Sequence, residues 1–150
     1  MNLKKPDYLQ LLLNRIMSEH LNITIDDFTR LGINIQTCRV LISLHHHKHL
    51  RSGILAYLIG LEPTATSHVL RSMSEQGLIH RERSSEDSRA VEIRLTAEGR
   101  ELAQRCHKAA LRQEKILTAG LDNEEIDFLR KIIWKIEFNI RGHQARAAEG

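Results

Sequence analysis

Residues 61–95 read LEPTATSHVLRSMSEQGLIHRERSSEDSRAVEIRL, and this stretch decides the fold. Its first half carries the signals of a short helix. Pro63 fits the first helical position, where its missing N–H loses no hydrogen bond. Gly77 suits the left-handed residue that follows a helix end. The helical period then predicts one inward stripe, made of Thr66, Val69, Leu70 and Met73.

The opposite face of this helix is small, hydroxylated and basic. Its members are Thr64, Ala65, Ser67, His68, Arg71 and Ser72. Small side chains let a backbone approach a groove floor, and hydroxyl and guanidinium groups reach phosphates and base edges. Taken alone, such a face fits an ordinary solvated surface at least as well, so its interpretation depends on the segment after the helix.

That segment is a hairpin, because residues 78–83 and 90–95 alternate between apolar and polar side chains at the period of a half-buried strand. One face carries Ile79, Val91, Ile93 and Leu95, and the other carries His80, Glu92 and Arg94. The polar run SSEDS between them is long enough only for a hairpin turn.

The hairpin is rich in arginine, with Arg81, Arg83, Arg89 and Arg94 on one small ribbon. An arginine at a ribbon tip can enter a narrow minor groove, whose negative potential attracts it. Asp87, two residues before Arg89, either orients that arginine or forms an ion pair that stiffens the turn. We therefore predict DNA contacts from the outer face of the helix and from Arg83, Asp87 and Arg89.

The residues before Leu61 complete a helix-turn-helix. Residues 51–59, RSGILAYLI, predict a short helix with Leu55, Ala56 and Ile59 inward, and Gly60 makes a tight turn into the next helix. Two helices joined by a short glycine-containing turn are typical of DNA-binding motifs. The predicted class is mainly α with a small β-wing, a winged helix-turn-helix.

Three segments carry a family resemblance: GLEPTATSHVLRSMSEQGLIHRE, DSR at the ribbon tip, and LTAEGRELA after it. They resemble the MarR family of bacterial transcriptional regulators, from about Leu31 to Leu121. In that family the arginine corresponding to Arg89 enters the minor groove. The chain departs from the family pattern at His68, where the family usually has Arg, and at Thr66, where a larger apolar residue is usual.

The two ends of the chain predict long helices that pair with a second copy. Residues 6 to about 30 carry an apolar stripe, and the last helix is apolar on more than one side, which is typical of a helix covered twice. The resemblance also implies a dimer held by these helices. We divide the chain into an N-terminal dimerisation helix (1–33), a winged domain (34–95) and C-terminal dimerisation helices (96–150).

Composition favours a globular protein in the cytoplasm. The net charge is only +3, so a polyanionic partner must be argued from where the charge lies. Cys38 and Cys106 are far apart in sequence and suggest no disulfide framework. No apolar run is long enough for a membrane span. We find no motif of an enzyme, a cofactor site or a metal centre, and expect none.

The resemblance implies a small phenolic or aromatic carboxylate ligand, bound between the dimerisation helices and the wing domain. An anionic ligand needs cationic groups, for which the candidates are Arg15, His20, Arg39 and His107. Each also fits a surface or interhelix contact. The expected function is a dimeric DNA-binding repressor released by such a ligand.

Two alternatives stay open at this point. A metal- or thiol-responsive regulator of the same fold would use His20, Cys38, Cys106, His107 and the histidine run 45–49. Of these, Cys38 lies on an inward helix face, where a thiol is more often inert. A winged helix used only as a protein-interaction module is the other alternative, which the arginine-rich ribbon disfavours.

Overall fold

The computed structural model describes residues 8–83 and 91–148. The order of elements is α1 (Leu9–Arg30), α2 (Ile35–His46), β1 (Leu50–Arg51), α3 (Ser52–Ile59), α4 (Pro63–Glu75), β2 (Ile79–Arg83), β3 (Val91–Leu95), α5 (Ala97–Leu117) and α6 (Asn123–Ala148). This is a mainly helical chain with a small antiparallel sheet, so the predicted winged-helix class is confirmed. The chain forms two compact units, Met1–Gln113 and Glu114–Gly150.

The core of the first unit lies where α2, α3 and α4 pack on the sheet. Asn34 starts α2 because its side chain accepts a 2.8 Å hydrogen bond from the Thr37 N–H. The fully buried side chains include Leu41, Leu55, Leu70, Met73 and Ile93. Burying each of these contributes about 1.5–3 kcal/mol, so the inward stripes of the three helices hold the domain together.

The sheet has the strand order β1-β3-β2. In the hairpin Ile79 pairs with Leu95, so the two predicted strands and their facing residues are confirmed. The strand β1 was not predicted. Residue Arg51, which we placed at the start of the third helix, instead ends β1 and precedes α3 at its N-cap, with Leu50 paired to Ile93.

The helix α1 joins this unit through its C-terminal half, where Phe28 is buried. On the same half, Asp27 accepts hydrogen bonds of 3.2 Å from Arg112 and Gln113 of α5. Partial burial would raise the pKa of Asp27, but these hydrogen bonds outweigh it and hold that pKa below its ordinary value of 3.8. The carboxylate is therefore ionised at neutral pH and ties α1 to α5.

Thr96 ties the end of α4 to the end of the wing. Its hydroxyl donates a 2.7 Å hydrogen bond to the Gly77 carbonyl and accepts a 2.9 Å hydrogen bond from the Gly99 N–H. Its own N–H donates to the Leu78 carbonyl at 3.1 Å. A methyl group at Gly99 would overlap that Leu78 carbonyl oxygen. One threonine thus fixes the exit of α4, the return of β3 and the start of α5, which we name the Thr96 junction.

The second unit is mostly the helix α6. Asp122 and Glu125 exchange 2.9 Å hydrogen bonds between each backbone N–H and the other side chain, and this capping box starts the helix. Large apolar side chains remain exposed along the helix, including Phe128, Trp134 and Phe138. Over the described residues, no helix is both long and apolar enough to cross a membrane.

Gly99→Ala is expected to destabilise the protein by at least about 2 kcal/mol, because the new methyl group must displace the Leu78 backbone. Urea unfolding followed by circular dichroism measures the change. Gly53→Ala is the matched control, since a methyl group there meets nothing within 4 Å and alanine favours a helix. Equal stability of the two variants would contradict this description of the junction.

Candidate nucleic-acid interface

The helix α4 separates into the two faces that the sequence predicted. Thr66, Leu70 and Met73 are buried and Val69 is half-buried. The opposite face is exposed at every predicted position, which are Thr64, Ala65, Ser67, His68, Arg71 and Ser72. Arg71 and His68 take part in no ion pair among the described residues, so both side chains are available to a polyanion.

The hydroxyl and backbone N–H groups on this face can also still form some hydrogen bonds to a nucleic acid. Ser67 donates to the Pro63 carbonyl at 2.9 Å, and the Ser72 hydroxyl accepts from Gln76 at 2.9 Å, which leaves lone pairs or a proton on each oxygen. No side chain caps the first turn of α4. Unpaired N–H groups at a helix start favour a phosphate oxygen.

The two faces of the hairpin differ in charge. On the outer face Arg94 lies 3.1 Å from Glu92 and 3.6 Å from Glu82, and Glu92 also lies 4.0 Å from His49. These positively and negatively charged side chains form one network, in which Arg94 pairs with two carboxylates.

The other face of the hairpin begins with buried Ile79 and continues as exposed Arg81 and Arg83. Arg81 pairs in register with Ile93 and Arg83 with Val91, so both arginines share the apolar face beyond the core. The two-residue period of the strand already implied this, although we had assigned a DNA contact to Arg83 and not to Arg81. The predicted contacts of Asp87 and Arg89 lie outside the described residues.

The four candidate ligand-binding residues lie on the helices α1, α2 and α5. Arg15 is exposed on α1, and His20 is half-buried beside Thr24, 3.5 Å from its hydroxyl. Arg39 on α2 donates a 3.3 Å hydrogen bond to the Ile59 carbonyl. His107 on α5 packs against histidines of α2. Among the described residues no hydrogen bond, ion pair or ring contact joins any two of the four, and their role stays a prediction.

The residues of the thiol or metal alternative form two separate groups. Cys38 and Cys106 are fully buried free thiols that lie beside each other. The neighbouring Cys106 thiol and burial raise the pKa of the Cys38 thiol, so it stays protonated at neutral pH. In the part of the chain that the structure describes, no three His, Cys, Asp or Glu side chains are placed to hold a metal ion.

Sequence comparison links this geometry to known regulators. Residues 33–91, from the turn before α2 to the start of β3, match the model of the MarR family. The uncharacterised HTH-type transcriptional regulator YdgJ of Bacillus subtilis is 26% identical over 114 residues, which cover 76% of this chain and 70% of YdgJ. The winged part of this chain is therefore similar to the MarR family of regulators.

Two solved structures share the fold of this chain. A cysteine-to-serine mutant of MarR from E. coli, complexed with operator DNA, has a TM-score of 0.72 at 20% identity and covers 85% of this chain and 92% of its own. NadR in complex with 4-hydroxyphenylacetate has a TM-score of 0.78 at 19% identity, covering 91% and 96%. The chain therefore shares the winged fold of these two proteins, and α4 is the second helix of its helix-turn-helix.

Proposed function

We propose that this chain is a dimeric, sequence-specific DNA-binding transcriptional regulator, and that it acts as a repressor. The observation that carries the proposal is the outer face of α4, which is exposed at every predicted position. Two basic side chains on it pair with no carboxylate among the described residues. The inner face of the same helix is buried, so its orientation is fixed. The E. coli MarR mutant with this fold is bound to operator DNA, which supports the same use here.

The chemistry of this surface gives α4 and the wing different roles in the proposed DNA contact. His68 and Arg71 project from the middle of α4, where a major groove admits a helix and arginine reads guanine. Arg81 and Arg83 lie on the wing, which would follow the backbone or enter the minor groove with Arg89. His68 replaces the arginine usual in the family, so this position would bring less charge at neutral pH and a different base preference.

Arg71→Ala is expected to weaken binding to an operator by about tenfold, the cost of one lost base or phosphate contact. Fluorescence anisotropy on the upstream region of the protein's own gene, measured across a salt series, gives the affinity and its salt dependence. Arg94→Ala is the matched control, because Glu82 and Glu92 already engage that guanidinium. We expect it to change affinity by less than about threefold.

Two results would overturn this function. Binding that is independent of salt is incompatible with phosphate contacts. Equal affinity for the upstream region and a random duplex would remove sequence specificity. Absence of any DNA binding at low salt, together with a captured protein partner, would instead favour the protein-interaction alternative.

We propose that a second copy of the chain buries the exposed apolar side chains of the terminal helices. On α6, Phe128, Ile132, Trp134 and Phe138 line an open groove of about 510 Å³ with the stems of Lys131 and Lys135. Phe138 alone is 76% exposed. On α1, exposed Leu9, Leu13 and Ile16 belong to the stripe that the sequence predicted for dimerisation. Large apolar patches of this kind mark interfaces.

Phe138→Asp is expected to convert the dimer to monomer at micromolar concentration, because a charge would be buried in an apolar interface. Sedimentation equilibrium measures the mass. Gln144→Asp, which adds the same charge at an exposed polar position of α6, should remain dimeric. A wild-type protein that sediments as a monomer would rule out the dimer.

Release by a small aromatic or phenolic ligand is also part of the proposal. NadR, with the same fold, is seen with 4-hydroxyphenylacetate. Of the four candidates, Arg15 is the one whose side chain forms no ion pair, hydrogen bond or ring contact among the described residues. Its guanidinium can therefore bind an anionic ligand. Thermal shifts with phenolic and aromatic acids that are lost in Arg15→Ala would support this. No shift with any such compound would count against it.

A further inference from the structure

Three histidine rings from two helices meet on one side of the first unit. His45 and His46 end α2, and His107 lies in the middle of α5. The ring centres are 4.8 Å apart for His45 and His107, 5.1 Å for His46 and His107, and 5.6 Å for His45 and His46. The imidazoles are therefore in mutual contact. We name this group the histidine cluster.

The histidine cluster lies next to buried apolar residues of α2 and α5. One turn before His45 lies buried Leu41, and Cys106, which precedes His107, is buried against Cys38. His45 and His46 are exposed and His107 is half-buried, so protons reach the rings from solvent. The two cysteines are therefore buried, and the titratable histidine rings next to them reach the solvent.

The charges that act on the His45 ring are those of His107 and His46. Residues one turn from His107 on α5 are Ala103, Gln104, Ala110 and Leu111, none of them charged. The carboxylates on the neighbouring elements are Glu19, Asp26 and Asp27 of α1, Glu98, Glu101 and Glu114 of α5, and Glu92 of β3. The cationic groups and histidines on these elements, on α2 and in the residues after it are Arg15, His20, Arg30, Arg39, His47, Lys48, His49, Arg51, Arg94, Arg100, Arg105, Lys108, Arg112 and Lys115. Asp27 is paired with Arg112, Glu92 with Arg94 and Glu114 with Arg130. Among the described residues, no carboxylate forms an ion pair with a ring of the cluster.

Protonation of such a cluster works against its packing. Neutral imidazoles can stack and share hydrogen bonds, whereas two imidazolium rings about 5 Å apart repel each other and lose solvation. For His45, partial burial, His107 and His46, in that order, all lower the pKa below its ordinary value of 6.5. The folded chain therefore resists the proton that the unfolded chain accepts.

We propose that the histidine cluster is a proton-sensitive latch between α2 and α5, closed when the rings are neutral and loosened when they take up protons. The sign follows from linkage. Stability contributed by the latch is complete above about pH 6.5, the ordinary value, and decreases as the pH falls through it. The loss is complete once the folded cluster is also protonated.

The consequence for DNA binding rests on the proposed function. The helix α2 packs on the sheet and on α3 and α4, so it carries the winged domain. The helix α5 continues the chain from that domain into α6. Loosening the contact between α2 and α5 would broaden the range of positions open to α4 in a dimer, and a fixed spacing of two recognition helices is what a specific site requires.

The direct test is thermal unfolding at pH 7.5 and pH 5.5 at constant ionic strength, with wild type, His107→Gln, His45→Gln and the control His80→Gln. His80 is exposed on β2 and outside the cluster. We expect wild type and the control to lose more melting temperature at the lower pH than the two cluster variants, by about 3 °C. Equal losses in all four proteins overturn the latch.

A titration of the wild type by NMR covers the case in which a variant does not fold. The His45 ring should titrate below pH 6.5, the ordinary value for histidine. A His45 midpoint at or above pH 6.5 would overturn the proposal.

DNA binding by wild type and His107→Gln at the two pH values then tests the consequence. Between pH 7.5 and pH 5.5, the ratio of affinities for the upstream region and a random duplex should fall in both proteins. We expect this fall to be at least about threefold larger in wild type than in His107→Gln. Equal falls would remove the coupling to DNA. No DNA binding at either pH would refute the proposed function and leave the latch to be judged by melting and titration.

Discussion

The hydroxyl group of Thr96 holds together the parts of this protein that the proposed function uses. It bridges the Gly77 carbonyl at the exit of α4 and the Gly99 N–H at the start of α5, while the Thr96 N–H pairs with the Leu78 carbonyl. The absence of a side chain at Gly99 permits that close approach. Because the wing begins and ends at this junction, its position relative to α4 is set by a few short hydrogen bonds. This gives a physical reason for the LTAEG segment that carried the family resemblance.

Much of this domain could be predicted because its signals are local. Pro63 and Gly77 bracket α4, and the helical period identified Thr66, Leu70 and Met73 as inward, which is confirmed. The alternation of Ile79, Ile93 and Leu95 predicted the hairpin within one residue of its described ends. In each case the backbone period and the side-chain pattern agree over a short stretch. The exposure of the predicted α4 surface follows from the same period.

The parts that sequence reasoning missed depend on pairings between distant segments. The strand β1 has two residues, too short for a period, and exists only because Leu50 lies opposite Ile93. Nothing near the histidine run 45–49 in sequence indicates that His107 packs on it. On α1 the apolar stripe was found, but exposed Leu9 and Ile16 have their proposed cover in another molecule.

The hydrogen bonds of the Thr96 junction join α4 and the wing into one unit. Amide hydrogen exchange of the free protein, followed residue by residue by NMR, tests it most directly. The account predicts that the amides of Leu78, Thr96 and Gly99 exchange only through global unfolding, with the same free energy as the Leu41 and Leu70 amides in the core. Exchange of the three junction amides through a lower-energy opening, while α2 and α4 stay protected, would contradict it.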